Sequence, residues 1–206
     1  MIGPLLVSVF LVATCGLVYE LVAGAIASYL LGDSVLQFST IIGTYLFAMG
    51  VGSYLAKFVQ RGLLLAFIQV QILVGLLGGC SAALLFLTFS HGSGFRVVLY
   101  LTVFCIGAMV GLEIPLLLRI LKEHLSFRDL VSQVLALEYV GALAASVLFP
   151  LFLVPHLGLV RTSFFFGMVN VGVAFVFVAA FQKEGRWRAV LIEAAAVFCL
   201  LLAGFV

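Results

Sequence analysis

The chain has 206 residues, of which 66% are hydrophobic and only 9% charged, with a formal net charge of +2. A soluble domain carries about 25% charged residues, and a chain this short lacks the interior volume to bury two thirds of itself. A soluble globular fold is therefore excluded, lipid supplies the missing apolar surroundings, and the near-neutral charge without a basic patch leaves no nucleic-acid partner to expect.

A spanning helix needs about 20 apolar residues at roughly 1.5 Å each to cross a hydrocarbon core of about 30 Å. That length predicts an all-α polytopic transmembrane bundle of about seven spans, at 4–31, 36–59, 63–89, 96–121, 133–154, 159–181 and 187–206. The whole of 1–206 then forms one integral membrane domain. The first apolar run contains Ala25-Ile26-Ala27, which mimics a signal-peptidase site, but no Lys or Arg precedes it and it continues for nearly thirty residues. It reads as a retained helix.

The breaks between spans carry turn chemistry: Gly32-Asp33-Ser34, Gln60-Arg61-Gly62, His91-Gly92-Ser93-Gly94, Pro155-His156-Leu157-Gly158 and Lys183-Glu184-Gly185. In the longest loop, Ser126 followed by Asp129 fits a capping box that opens the fifth helix. Basic residues concentrate after spans two, four and six, at Lys57 and Arg61, at Arg119, Lys122 and Arg128, and at Lys183, Arg186 and Arg188. The positive-inside rule puts these loops and the N-terminus in the cytoplasm. Val206 ends within apolar sequence, as a truncated chain would.

Small residues recur at helical spacing, as close packing in lipid requires. They are Ala13, Gly16, Ala23, Gly24 and Ala27 in the first span, Ala48, Gly52 and Ala56 in the second, Gly107 and Gly111 in the fourth, and Gly141, Ala142 and Ala145 in the fifth. Pro115 removes a backbone bond to the Gly111 carbonyl and predicts a kink beside Glu113. Cys15, Cys80, Cys105 and Cys199 are scattered through apolar runs, and His91, His124 and His156 lie far apart. Neither set has ligand spacing, so no metal or other cofactor is expected.

Four acids fall inside spans: Glu20, Glu113, Glu138 and Glu193. A charge at the membrane centre costs at least ~2.5–3.5 kcal/mol, so such residues face the bundle interior. Counted from the ends of their spans, Glu113, Glu138 and Glu193 lie roughly 8–10 Å from the cytoplasmic boundary. Glu20 is deeper and shares its face with glycine and alanine. Two readings stand open: a site where the acids hold a cationic substrate or relay protons, and internal groups that fix helix packing. Tyr19, Gln37, Tyr45 and Tyr139 offer hydroxyl or amide contacts to the first.

Several segments resemble a known family in the same order. They are Cys15-Gly16-Leu17-Val18-Tyr19-Glu20-Leu21 through Leu31-Gly32-Asp33-Ser34 to Ala48-Met49-Gly50-Val51-Gly52-Ser53, then Gly111-Leu112-Glu113-Ile114-Pro115-Leu116 and Leu135-Ala136-Leu137-Glu138-Tyr139-Val140-Gly141-Ala142, and finally Phe149-Pro150 with Pro155-His156-Leu157-Gly158-Leu159. Together they resemble the N-terminal membrane domain of bacterial spermidine synthase-like proteins, in which a soluble aminopropyltransferase domain follows. The resemblance implies a bacterial cytoplasmic membrane location and an attached or associated aminopropyltransferase. It also offers a polyamine as the cation for Glu20, Glu113 and Glu138, with Tyr19 and Tyr139 beside them.

The chain has no glycine-rich nucleotide loop after a strand, so it is not an aminopropyltransferase by itself. A membrane-embedded enzyme would need a nucleophile–base pair or a metal cluster, and the sequence offers neither. The leading expectation is a non-catalytic module that binds or moves a small cation. The alternative is a structural anchor and homodimerisation domain for the attached enzyme.

Overall fold

The computed structural model describes residues 2–92, 94–122, 127–180 and 187–206. These residues are helical: α1 (Ile2–Leu31), α2 (Ser34–Leu55) with a 3-10 turn at Ala56–Phe58, α3 (Leu63–Ser90), α4 (Phe95–Leu121), α5 (Phe127–Leu148), a π turn at Phe149–Leu153, α6 (Val154–Ala180) and α7 (Trp187–Phe205). The capping residue Ser126 and the break at 183–185 lie outside the described residues.

Six helical segments are long and apolar enough to cross a membrane, and this corrects the expected seven. The difference lies at Pro155–Gly158, where the sequence predicts a turn. Residues Asp129–Ala179 run as one 51-residue helical stretch, with a π turn at 149–153 around Pro150 and two helices that meet across a kink within it. The stretch bends at Gly158, whose φ of 73° and ψ of 175° are not helical. On one side of the bend α5 packs on α1; on the other, α6 packs on α3, α7 and α1.

Elsewhere the turn chemistry acts where the sequence places it. Asp33 takes a left-handed conformation with φ 46° and accepts a hydrogen bond from the Leu36 N–H at 3.2 Å, capping α2. The α1–α2 turn makes the two helices antiparallel, with Tyr45 near Gly16 and Phe38 against Gly24. The α2–α4 pair is the most extensive contact in the bundle. It is parallel, since Tyr100 donates to Thr40 at one end and Arg119 to the Ala56 and Val59 carbonyls at the other.

Small residues allow that pair to close. A side chain on Gly52 would strike the Ala108 carbonyl, and one on Gly111 would strike the backbone of Met49. The close approach also solves the Pro115 problem. The Gly111 carbonyl, which loses its helical partner to Pro115, accepts a 2.9 Å hydrogen bond from the Ser53 hydroxyl. In hydrocarbon no water replaces such a partner. Ser53→Ala is expected to cost about 1–3 kcal/mol, the range for an unsatisfied buried acceptor, read as a lower unfolding temperature in detergent. Gly52→Leu is expected to separate α2 from α4 and lower it further.

Candidate functional site

One cavity of about 160 Å³ opens into the bundle, and Glu20, Glu113 and Glu138 all line it. Each comes from a different helix. Glu20 projects from the small-residue face of α1, a full turn beyond Gly16. Glu113 stands on α4 between the glycine contacts to α2 and Pro115. Glu138 is brought over by α5, which reaches α1 because Gly141 lies against the Phe10 carbonyl and Ala13. The rest of the lining is largely apolar, including Val9, Val12, Phe67 and Val110.

The three carboxyl groups have different surroundings. Glu113 is only 1% exposed and accepts a 2.9 Å hydrogen bond from the Gln71 amide of α3. Glu20 is 8% exposed and faces the cavity without a hydrogen-bonding neighbour among the described residues. Glu138 is half-buried at the edge. No cationic side chain stands beside any of them among the described residues. Arg119, the basic residue nearest Glu113 in sequence, turns instead to the Ala56 and Val59 carbonyls, at 3.0 and 2.6 Å. The three acids are thus uncompensated by a described cation in a largely apolar cavity, where a bare carboxylate is costly.

The other expected residues sit elsewhere. Tyr19 is buried but does not line the cavity; its ring packs on Gly78 and its hydroxyl accepts a 3.1 Å bond from the Asn170 amide. Tyr139 is 70% exposed on the outer face of α5. Glu193 is exposed on α7 and is not among the cavity-lining residues. Gln37 is buried outside the lining. Tyr45 does line the cavity, and its hydroxyl donates to the Gly16 carbonyl at 2.8 Å, holding α2 to the cavity floor. Among the described residues no group of His, Cys, Asp and Glu has the arrangement of a metal site.

Sequence reasoning missed Gln71, Asn170 and Ser163. Ser163 donates to the Gly78 and Gly79 carbonyls at 2.6 and 2.7 Å and fastens α6 to α3. The signal was present as isolated polar residues in apolar spans, but period alone does not say which helix they meet.

The sequence is 58% identical over 170 residues to a polyamine aminopropyltransferase of Leptospira interrogans, covering 82% of this chain and 34% of the relative. It is 53% identical over 214 residues to polyamine aminopropyltransferase 2 of Ralstonia nicotianae, covering 98% of this chain and 41% of the relative. A Streptomyces coelicolor polyamine aminopropyltransferase 1 is 39% identical over 187 residues. The chain matches the N-terminal part of longer, spermidine synthase-like proteins. It spans well under half the length of these relatives. No family model and no solved structure matches it.

Because Gln71 donates to a carboxyl group that has no other described donor, the two residues are expected to be coupled. Gln71→Met and Glu113→Met should each destabilise the bundle. The double variant should recover part of the loss, with a coupling of about 0.5–3 kcal/mol in a double-mutant cycle. Unfolding in detergent measures it; strictly additive losses would mean that the pair contributes nothing.

Proposed function

We propose that this chain is the integral membrane module of a spermidine synthase-like protein. It is non-catalytic, and its carboxylate-lined cavity binds or moves a small cation such as a polyamine. The module lies as a multi-pass bundle in the bacterial cytoplasmic membrane with its N-terminus on the cytoplasmic side, and residues 1–206 are a single membrane domain. It works with an aminopropyltransferase domain, attached or associated, exchanging substrate or product with it.

The observation that carries this reading is the convergence of Glu20, Glu113 and Glu138 on one cavity, with no cationic side chain beside them among the described residues. Ammonium groups meet carboxylates through charge-assisted hydrogen bonds, and the lining includes the aromatic rings of Phe67 and Tyr45, whose π faces attract a cation. The relatives carry the name polyamine aminopropyltransferase, which makes a polyamine the chemical candidate.

A second reading has its own support. Glu113 is already hydrogen-bonded to Gln71, and the close α2–α4 and α1–α5 contacts suit a rigid anchor or dimerisation domain. Calorimetry with putrescine and spermidine separates the two. On the cation reading, binding is saturable, and Glu20→Gln or Glu113→Gln weakens it about tenfold or more, equivalent to about 1.4 kcal/mol. Affinity also falls as the pH is lowered, because protonated carboxyl groups no longer attract the cation. Absence of binding in well-folded protein would leave the anchor reading.

A further inference from the structure

The cavity is not enclosed on all sides by protein. Its floor is α1, through Val12, Gly16 and Glu20, and Phe67 of α3 also contributes to the lining. One wall is formed by α2 and α4, the other by Glu138 and Ala142 of α5. These two walls are poorly joined, because α5 packs chiefly on α1 and meets α4 only slightly. The residues at the rim show where the gap leads. Leu46, on the α2 side, is 59% exposed, and Glu138, on the α5 side, is half-buried. Around them the outer faces of α2 and α5 are apolar, with Phe47, Val140 and Leu143 exposed. In a bundle whose helices are long and apolar enough to cross a membrane, such a flank faces hydrocarbon.

This placement matters for what the cavity accepts. A slender polyamine entering from water would have to strip water from every ammonium group, while the lining offers three carboxylates and otherwise mostly apolar side chains. An amine with a hydrocarbon tail has a smaller difficulty. Its charged head reaches the buried acids, and its chain stays in the gap against Leu46, Met49 and Ala142, continuous with the lipid. Two independent features point to such a head group. Glu20 is 8% exposed, turned into the cavity and without a hydrogen-bonding neighbour among the described residues. Glu138, at a rim facing hydrocarbon, has no cationic neighbour among the described residues, although an isolated charge at that depth is costly.

We infer that the cavity is a lateral, membrane-facing site for an amphipathic amine, whose ammonium group sits among Glu20, Glu113 and Glu138 and whose alkyl chain leaves between α2 and α5. This inference rests on the cation-binding reading and narrows it: the ligand enters through the bilayer, and its apolar part contributes to recognition. Leu46 and Ala142 become specificity-determining residues, since they border the chain and not the charge. Bulk at Ala142 blocks the gap while leaving the carboxylates untouched.

The test uses the full 206-residue chain in phosphatidylcholine nanodiscs and a dodecylamine carrying a diazirine on its chain. Irradiation followed by peptide mass spectrometry maps where the chain lies. The expected result is labelling concentrated on Leu46, Met49 and Ala142, competed by N-dodecylputrescine and not by dodecanol. Labelling there falls about tenfold in Glu20→Gln/Glu113→Gln, equal to about 1.4 kcal/mol, and also in Ala142→Trp. Labelling spread evenly over lipid-facing positions such as Leu101 and Leu200, or equal competition by dodecanol, would overturn the inference. Because the competition arm uses only unaltered protein, it holds even if a variant fails to fold. Calorimetric binding of putrescine without localised labelling would overturn the lateral site while sparing the cation-binding reading; loss of both would reject the two together.

Discussion

Glu113 is 1% exposed, in the middle of an apolar helix, and its one described hydrogen bond comes from Gln71. A polar group so placed has no access to bulk water, so the surrounding helices must supply what water would. Much of the local architecture follows from that requirement. Pro115, two residues on, frees the Gly111 carbonyl, and Ser53 of α2 answers it. Ser53 reaches that carbonyl only because Gly52 and Gly111 let the two backbones approach. The same closeness brings Tyr45 over α1, where its hydroxyl holds the Gly16 carbonyl. The acid, the proline, the glycines and the two hydroxyl donors therefore form one linked arrangement, and a change at any of them is felt at the others.

The cavity is the residue of how these helices meet. The α2–α4 pair closes tightly, and α5 closes on α1 through Gly141, but α5 and α4 scarcely touch. The space left between them receives Glu20, Glu113 and Glu138 from three helices. The α3–α6 side shows the opposite solution. There, Gly75, Gly78 and Gly79 accept close neighbours, Phe67 meets Phe177 at 4.7 Å, and Ser163 caps two carbonyls. One side of the bundle is packed shut, and the other keeps a gap lined with acids.

Much of this was legible in the sequence, and the reasons are physical. Apolar length identifies helices because the thickness of hydrocarbon is fixed, and Asp33 and the positive-φ glycines mark the turns because few residues adopt that backbone. The small-residue faces were readable because their spacing follows the helical period. Glu20, Glu113 and Glu138 stood out because carboxyl groups are costly at that depth. The periodicity did not reveal partners. The family resemblance set Tyr19 beside the acids, whereas its ring turns to Gly78 and Asn170. The periodicity gave no role to Gln71, whose importance depends on facing Glu113 across two helices. The break expected at Pro155–Gly158 takes the form of a kink at Gly158, where two helices meet, while the π turn at 149–153 that carries Pro150 was not legible from the spacing.

In the proposed function, three acids on three helices form one site for a cation. Carbodiimide labelling tests it most directly, since a hydrophobic carbodiimide reacts with carboxyl groups in apolar surroundings and mass spectrometry identifies each modified residue. Labelling at Glu20, Glu113 or Glu138 is expected to slow markedly when a saturating amine ligand is present, while labelling at the exposed Glu193 is unaffected. Equal labelling rates at the three cavity acids, with and without any amine, would contradict it and return these residues to a purely structural role.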